Sequence, residues 1–346
     1  MRAALLTAPR EVSIEDVADP APGVGEVLVR LTAVGVCGSD VHFFHEGRIG
    51  SASAAYPMGL GHEPAGIVTA VGEGVSGLVE GALVAVEPGI PCGRCEPCGR
   101  AKPNLCPNVR FLAQPDTVGA FQECLVMPQE NCLPAPAGVS AEACAVAEPL
   151  GVGLEALAIS GIRAGETAAV FGCGPIGLSV IAALRSAGIQ EIITSEPLEA
   201  RRVFAARLGA SHTIDSAREN VIQAIRDVTD GRGVDVAFEA AGEQETLDHT
   251  IESAAIGGTA VIIGIPREKK MEIDLHTARR KELPLRQVRR SNLKTAAALE
   301  LLAREDIPIE EMVTHRFPLG ETATAMDLVR RYADGVIKAV VIPSDQ

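Results

Sequence analysis

Four cysteines lie close together in the chain at the spacing of a metal site. Cys92, Cys95, Cys98 and Cys106 form the pattern C-x2-C-x2-C-x7-C. Four thiolates at this spacing match a closed tetrahedral zinc site, which has no open position and is therefore structural. An iron–sulfur cluster is one alternative, although the last spacing is longer than in ferredoxin-like motifs. A disulfide pair is the other, and it is disfavoured because nothing near Met1 resembles a signal peptide.

A second set of side chains has the composition of a catalytic zinc site. Cys37, His62 and one of the carboxylates Glu63 and Glu148 offer three ligands and leave one coordination position open. Because neighbours in an extended chain point to opposite sides, His62 and Glu63 need not bind together. We therefore expect Glu148 to be the third ligand, with Glu63 behind the metal or exchanging with it. Each residue alone also fits a core or a loop, and it is the combination beside a cofactor motif that favours a metal.

The cofactor motif is a glycine-rich turn between an apolar run and a helical segment. Gly172-Cys173-Gly174-Pro175-Ile176-Gly177 fits G-x-G-x-x-G and follows the apolar run 168–171. Gly172 permits the tight turn, Gly174 lets the backbone approach a pyrophosphate, and Gly177 lets helix and strand pack closely. Pro175 is compatible with the first turn of a helix, and the N–H groups at that end attract phosphates. The motif predicts dinucleotide binding by these residues, including Ile176.

A carboxylate at the end of the next strand bears on the choice of cofactor. Glu196 lies about twenty residues after the glycines, where an acid accepts the ribose hydroxyls and repels a 2′-phosphate, so NAD is favoured over NADP. Arg201 and Arg202 lie one helical turn later and can weaken this preference, for example by stacking on adenine. Ile265 is a further cofactor-binding candidate.

The elements that must position these residues change in character near residue 149. Before it, short alternating segments such as 26–31 and 82–86 lie between glycine and proline turns, which predicts a mostly β domain. After it, strands and helices alternate four times, which predicts a parallel sheet covered on both faces. A last helix and a strand at 336–342 are expected to rejoin the first domain. The predicted domains are 1–146 with 292–346, and 147–291.

Composition excludes several classes of protein. The 346 residues carry 31 Lys and Arg against 45 Asp and Glu, a formal charge of −14, which disfavours nucleic acid and anionic membranes as partners. With 47% hydrophobic and 22% charged residues, the chain is not mainly disordered. No uncharged apolar stretch of about 18 residues is present, so we expect no transmembrane helix.

In this order, the motifs resemble the zinc-dependent medium-chain dehydrogenases, and within them the sorbitol (polyol) dehydrogenase branch. The resemblance covers essentially the whole chain. It implies an α/β fold, with a GroES-like β-rich catalytic domain and an inserted Rossmann domain that is a doubly wound parallel sheet. It also implies one catalytic and one structural zinc per subunit, NAD, and a homotetramer in the cytoplasm. The branch is indicated by the segments 37–42, 47–50 and 314–319 and by Glu148.

The resemblance also implies a reaction and residue roles. The expected reaction is the reversible oxidation of a secondary alcohol of a sorbitol-, xylitol- or iditol-like polyol to a ketose, by hydride transfer to NAD. Ser39 is expected to take the hydroxyl proton and pass it toward His42, while Asp40 orients His62. Arg48 and Arg289 are expected to hold the remaining hydroxyls. Glu63 and Glu148 complete the expected catalytic set.

Two departures from the branch concern the substrate. Phe43 stands where the branch often has Tyr, and Arg289-Arg290 stands where it often has Arg-Tyr. Both positions are candidate substrate contacts, and the extra cation of Arg290 favours a carboxylate or phosphate on the substrate unless it serves a subunit contact. The alternative substrates are therefore L-threonine or a phosphorylated or acidic sugar alcohol. A non-catalytic NAD sensor and a reductase without catalytic zinc are disfavoured by the full ligand set.

Overall fold

A computed structural model describes residues 1–304 and 306–344 and divides into two compact units. The first unit comprises Met1–Glu148, Thr295–Arg304 and 310–344, and the second comprises Pro149–Lys294 and 306–309. The boundaries proposed from sequence fall within three residues of the main divisions. Residues 305, 345 and 346, which the sequence analysis assigned to the first domain, lie outside the described residues.

Twenty strands are found in the described residues. They are, up to residue 134, β1 (Arg2–Ala8), β2 (Glu11–Asp16), β3 (Glu26–Gly35), β4 (Arg48–Ile49), β5 (Ala52–Ser53), β6 (Met58–Gly59), β7 (Glu63–Val71), β8 (Leu83–Val86), β9 (Gly89–Ile90), β10 (Arg110–Phe111), β11 (Cys124–Pro128) and β12 (Cys132–Pro134). The later strands are β13 (Thr167–Phe171), β14 (Glu191–Ser195), β15 (His212–Ile214), β16 (Val234–Glu239), β17 (Ala254–Ile262), β18 (Leu285–Gln287), β19 (Val313–Pro318) and β20 (Lys338–Ile342).

Ten α-helices are found in the same part of the chain. They are α1 (Gly38–Glu46), α2 (Glu96–Gly99), α3 (Ala141–Ser160), α4 (Pro175–Ser186), α5 (Glu199–Arg207), α6 (Val221–Val228), α7 (Gln244–Ser253), α8 (Leu275–Arg280), α9 (Thr295–Leu302) and α10 (Thr322–Arg331). Short 3-10 helices lie at Pro103–Leu105, Gln129–Asn131, Ile309–Met312, Leu319–Glu321 and Ala333–Gly335.

The first unit is built on a seven-stranded sheet. Its order is β12-β8-β7-β3-β20-β19, with β11 also paired to β3. Most pairs are antiparallel, and β3 buries every second residue, as a strand with one face on a core does. Gly35 at the end of β3 pairs with Glu63 on one side and with Val340 of β20 on the other. Three strands that are distant in sequence therefore meet at Gly35.

The second unit is built on a six-stranded parallel sheet. Its order is β15-β14-β13-β16-β17-β18, so the chain proceeds outward in one direction from β13 and in the other from β16. This is the order 3-2-1-4-5-6 of Rossmann-type folds, which bind their ligand outside the carboxyl ends of the strands where the direction reverses. Helices alternate with these strands, and β13 is buried along nearly its whole length because both faces are covered. The predicted α/β class is confirmed.

Two helices of nine or more residues begin before residue 149, in the part of the chain predicted to be mostly β. The first is α1, which carries several of the predicted site residues. The second is α3, which is long and apolar enough to cross a membrane by length and composition alone. However, 72% of its apolar window is buried inside the protein, as in a core helix. Glu142, Glu148 and Glu155 interrupt the apolar sequence of α3, so this helix contains no uncharged stretch of about 18 residues.

Candidate metal centres and cofactor edge

One buried aspartate joins the two chain segments that carry the predicted catalytic ligands. Cys37 immediately precedes α1, and Asp40 in the first turn of α1 accepts the Cys37 N–H at 3.1 Å. The other oxygen of Asp40 accepts the N–H of Gly61 at 2.9 Å. The start of α1 is therefore fixed against the segment that contains His62.

The same aspartate sets the orientation of His62. Nδ1 of His62 lies 3.4 Å from Asp40 Oδ1, while Nε2 lies 3.5 Å from the Ser39 hydroxyl. Burial by itself would lower the pKa of His62, but the charges of Asp40 and Cys37 outweigh it and raise the pKa well above its usual value. Asp40 thus contacts Nδ1 of the ring and leaves Nε2 able to bind a metal ion. Metal-binding histidines are commonly oriented in this way by a carboxylate on the other ring nitrogen.

The carboxylate that joins Cys37 and His62 is Glu63. The donor atoms of these three residues all lie within 4.8 Å of one another, and Glu148 is outside this group. His62 and Glu63 converge although they are neighbours in the chain, because β7 begins only at Glu63 and Gly61 turns the chain with φ +88°. Burial raises the pKa of Glu148 to about 8, with a smaller contribution from the charge of Glu63 in the same direction.

A buried lysine that the sequence analysis did not single out contacts Glu63. Lys338, the first residue of β20, forms an ion pair with the Glu63 carboxylate and donates to the Val36 carbonyl at 3.0 Å. Burial would lower the pKa of Lys338, but the negative charges of Glu63 and Cys37 outweigh it, so the pKa is raised. The signal in the sequence was a single lysine inside the apolar run 336–342.

A glycine provides the space for this ion pair. A Cβ on Gly35 would lie 1.8 Å from Glu63 Oε2 and 2.9 Å from Lys338 Cε. Any side chain at this position would therefore displace the carboxylate. Glycine is therefore required at position 35, because the Glu63 and Lys338 side chains pack directly against its backbone.

The three donors suit zinc in kind and placement. Thiolate, imidazole and carboxylate are its usual ligands, and ligands at zinc bond lengths lie roughly 3.3–3.8 Å apart in a tetrahedron. Donor atoms already gathered within 4.8 Å need only small side-chain movements to reach such positions. Cys37, His62 and Glu63 therefore fit a three-ligand zinc site.

The four-cysteine segment also fits zinc. The Sγ atom of Cys95 lies 3.3 Å from that of Cys98 and 3.7 Å from that of Cys106. Sulfurs of one tetrahedral zinc lie about 3.8 Å apart, whereas a disulfide bond is about 2.05 Å long. Backbone N–H groups of Arg94 and Cys95 lower the pKa of Cys92 to about 6, so this thiolate forms readily. All nine cysteines are free thiols, which argues against the disulfide alternative.

The predicted proton-relay and substrate residues lie on several different elements. His42 lies on α1 with Nδ1 3.5 Å from Glu46, and Arg48 is exposed on β4. Arg289 and Arg290 follow β18 in the second unit, and Arg290 has a left-handed backbone with φ +59°. Phe43, a predicted substrate contact, is 1% exposed and belongs to the hydrophobic core of the first unit.

In the second unit the glycine motif has the expected geometry. Gly172 follows β13 with φ +90°, and α4 begins at Pro175 with Gly174 as its N-cap. A Cβ on Gly177 would lie 1.8 Å from the Gly172 carbonyl oxygen. Ile176 lies in the first turn of α4, whose N-terminal N–H groups are directed toward the carboxyl edge of the sheet.

The carboxylate of Glu196, which is predicted to bind the ribose, already accepts hydrogen bonds from the protein. Glu196 is 4% exposed, and its two oxygens accept the N–H groups of Cys173 at 2.7 Å and Leu198 at 3.1 Å. Arg202 donates to the Glu196 carbonyl and to Asp215, while Arg201 is buried near Gly174. Ile265 is 51% exposed after β17. The carboxylate thus ties the glycine turn to the end of β14, and its contact with a ribose stays a prediction.

Comparison with known proteins identifies the family. Residues 23–137 match the alcohol dehydrogenase GroES-like domain and residues 175–304 the zinc-binding dehydrogenase domain. The chain is 36% identical to sorbitol dehydrogenase of Bacillus subtilis, covering 99% of this chain and 98% of the relative. It is also 36% identical to a probable D-xylulose reductase A of Emericella nidulans, over 84% and 82% of the two chains. The chain is a zinc-dependent medium-chain dehydrogenase.

A solved member of this family shows how far the likeness extends. A zinc-binding dehydrogenase from Sinorhizobium meliloti, bound to NADP, superposes with a TM-score of 0.91 at 33% identity and covers 99% of each chain. The predicted membership in the zinc-dependent medium-chain dehydrogenases, in the branch of sorbitol dehydrogenase, is confirmed. So is the predicted combination of a GroES-like domain with a Rossmann-type parallel sheet.

Proposed function

We propose that this dehydrogenase oxidises a secondary alcohol of a polyol to a ketose, reversibly, with NAD as hydride acceptor. The observation that carries the proposal is the convergence of the half-buried Cys37 with the buried His62 and Glu63, in a chain that also has the glycine turn at Gly172. The names of the relatives, sorbitol dehydrogenase and D-xylulose reductase, support a polyol as the substrate.

In the proposed mechanism the first unit holds the metal and manages the proton. Cys37, His62 and Glu63 would hold zinc, with Glu148 as a second carboxylate near the site. When bound, zinc acts as a Lewis acid that lowers the pKa of a coordinated hydroxyl. The Ser39 hydroxyl, 3.5 Å from His62 Nε2, accepts the substrate proton. Ser39 passes its own proton on in exchange, and His42, one helical turn later, receives it.

The second unit supplies the cofactor site. The N–H groups at the start of α4 hold the pyrophosphate, Gly174 allows its close approach, and Glu196 accepts the ribose hydroxyls. NAD when bound accepts the hydride, and that chemistry is the cofactor's own. Arg201 and Ile265 are proposed to contact the adenosine and nicotinamide portions of the dinucleotide.

A second candidate substrate class is a phosphorylated or acidic sugar alcohol. Its support is the pair of adjacent cations Arg289 and Arg290, the latter in a left-handed backbone conformation that is unusual for a residue other than glycine. Backbone strain of this kind concentrates at functional sites. Arg48 is proposed to hold a neutral hydroxyl of either substrate.

A substrate panel tests the function directly. NADH formation is followed by absorbance with sorbitol, xylitol, iditol, L-threonine, a sugar-alcohol phosphate and an aldonic acid, with NAD and with NADP. We expect the highest kcat/KM with a neutral polyol and NAD. Preference for the phosphorylated or acidic compound would favour the second candidate, and zinc-replete protein that oxidises none of these alcohols would contradict the proposal.

We further propose that the enzyme is a cytoplasmic homotetramer that binds neither nucleic acid nor membranes. The formal charge of −14 supports the last two points, since like charges repel. Light scattering should give a mass near four times the 36.0 kDa of the chain. A monomer at micromolar concentration would contradict the proposed assembly.

A further inference from the structure

A second buried carboxylate lies at the edge of the parallel sheet, and the mechanism above does not use it. Glu239 is the last residue of β16 and is 1% exposed. Its strand pairs with β13, which leads into the glycine turn, and Phe171 is aligned with Glu239. The direction of the chain reverses between these two strands, and Rossmann-type sheets bind their ligand at that point.

The Glu239 carboxylate binds the turn that follows its own strand. Oε1 accepts the N–H groups of Ala241 at 2.8 Å and Gly242 at 2.7 Å, and also the Thr246 hydroxyl at 2.7 Å. Hydrogen bonds to an ionised acceptor are stronger than neutral ones. The carboxylate therefore holds the 240–242 turn and the first helical turn of α7 together.

The turn held by Glu239 lies directly against the glycine motif. A Cβ on Gly172 would lie 3.0 Å from the Ala241 Cβ and 3.3 Å from the Ala241 nitrogen. The Ala240 N–H donates to the Phe171 carbonyl at 2.9 Å. Ala241 thus packs directly against Gly172, the first glycine of the motif.

The backbone of Glu239 contacts a second loop at the same edge. Its carbonyl accepts the N–H groups of Ile263 at 2.9 Å and Gly264 at 3.2 Å. A Cβ on Gly264 would lie 2.2 Å from the Gly242 nitrogen, so the two loops pack backbone to backbone. This loop continues to Ile265, a residue proposed above to contact the cofactor.

We propose that Glu239 is a positioning residue for the dinucleotide, because its carboxylate fixes the 240–242 turn beside the glycine motif, and the 263–265 loop packs against that turn. Preorganised loops bind more tightly because less conformational freedom is lost on binding. The inference rests on the proposed use of a nicotinamide cofactor, and Glu239 itself touches neither substrate nor cofactor in this role.

A matched pair of substitutions on one strand tests the inference. Glu239→Gln keeps the shape of the side chain and removes its charge at the carboxyl end of β16. Asp235→Asn makes the same change near the amino end, where Asp235 accepts the Thr167 N–H at 2.8 Å and hydroxyl at 2.9 Å. The measurements are the Kd of NADH by fluorescence, the Tm, and the hydrogen exchange of the Ala241 and Gly242 amides.

We expect Glu239→Gln to raise the Kd of NADH about tenfold, because the charge-assisted hydrogen bonds at Oε1 become weaker neutral ones and the turn is held less firmly. Exchange of the Ala241 and Gly242 amides should be faster. Asp235→Asn should lower Tm and leave the Kd within about twofold of the parent value. Glu239→Ala should give a larger loss of affinity, and if it does not fold, Glu239→Gln alone decides.

The outcomes separate this inference from the proposed function. Folded Glu239→Gln with the parent Kd would overturn the positioning role while leaving the proposed function intact. Equal losses of affinity in Glu239→Gln and Asp235→Asn would show a general effect on stability and would also overturn it. A parent protein that binds neither NADH nor NADPH would instead contradict the proposed function.

Discussion

The two units use buried carboxylates in opposite ways. In the first unit, Glu63 lies beside a thiol, an imidazole and the ammonium of Lys338, so it interacts with other charged side chains. In the second unit, Glu196 and Glu239 accept N–H groups of the loops around them. In the first unit the carboxylate is available to bind a metal ion. In the second unit the carboxylates hold backbone loops in the conformation that binds a phosphate-containing ligand.

The difference follows from what each ligand requires. A metal ion needs donor atoms on side chains, and bringing several anions together in a buried place is unfavourable unless a cation compensates them. A dinucleotide is held largely by backbone N–H groups, which need a fixed loop rather than converging charges. Substitutions in the first unit should therefore act through metal content, and those in the second through cofactor affinity.

The largest effect is expected from Cys37→Ala. Loss of the thiolate removes one of three zinc ligands, so zinc content should fall from two to one per chain and activity should drop about a thousandfold or more. The Kd of NADH should stay within about twofold of the parent, because the cofactor edge belongs to the other unit. Atomic absorption, steady-state rates and NADH fluorescence give these values.

Cys124→Ser is the control for that experiment, since this cysteine lies on β11 outside both groups of metal-binding residues. It should retain two zinc ions and parent activity. Near-normal turnover of Cys37→Ala would refute the catalytic zinc site.

Gly35→Ala should have the next largest effect. The added Cβ would lie only 1.8 Å from Glu63 Oε2, so the carboxylate must move away from Cys37 and Lys338. We expect about a hundredfold loss of kcat/KM and faster release of the catalytic zinc to a chelator, with NADH affinity unchanged.

Gly320→Ala is the matched control, because a Cβ at Gly320 meets no atom within 4 Å. Its activity and zinc retention should equal those of the parent. If Gly35→Ala also keeps its zinc and activity, the ion pair of Glu63 and Lys338 is not needed to position the ligands.

In the second unit, Glu196→Ala should weaken NAD binding about tenfold and NADP binding much less. The lost carboxylate would accept the ribose hydroxyls of NAD, whereas it repels the 2′-phosphate of NADP. Glu199→Ala, an exposed acid at the start of α5, should change neither affinity. The Kd values of NAD and NADP are measured by fluorescence titration for the parent and both variants. If Glu196→Ala loses the same affinity for both cofactors, Glu196 serves only to hold the glycine turn.

The smallest effect is expected at Asp235, near the amino end of β16, and it concerns the thermal stability of the fold. Burial would raise the pKa of Asp235, but hydrogen bonds from Arg232 and Thr167 outweigh it, so the pKa lies below its usual value. A lowered pKa in the folded state means that ionised Asp235 stabilises the fold above its unfolded pKa of about 3.9, and that this contribution is lost as the pH falls through the folded-state pKa.

Asp235→Asn should therefore lower Tm by about 2–4 °C at neutral pH, and the difference from the parent should shrink in acid below about pH 3.9. Thermal unfolding followed by circular dichroism across this range measures it. A difference in Tm that grows toward low pH would show that the carboxylate does not stabilise the fold through its charge.

Much of the second unit was predictable from sequence because its signals are local. The predicted alternation of strands and helices is observed, for example in the strand His212–Ile214 followed by the helix Val221–Val228. Alternating apolar runs and amphipathic segments follow from the spacing of neighbours along the chain. The four-cysteine group was also predictable, since all its ligands lie within one short segment.

The tertiary structure alone decided how the first unit completes its site. It selected Glu63 rather than Glu148 to lie with Cys37 and His62, placed Lys338 beside it, and put Phe43 in the core. It also made Glu239 a link between two loops. These outcomes depend on strand register and on the space around Gly35, which join residues hundreds of positions apart, and no local pattern in the sequence carries that information.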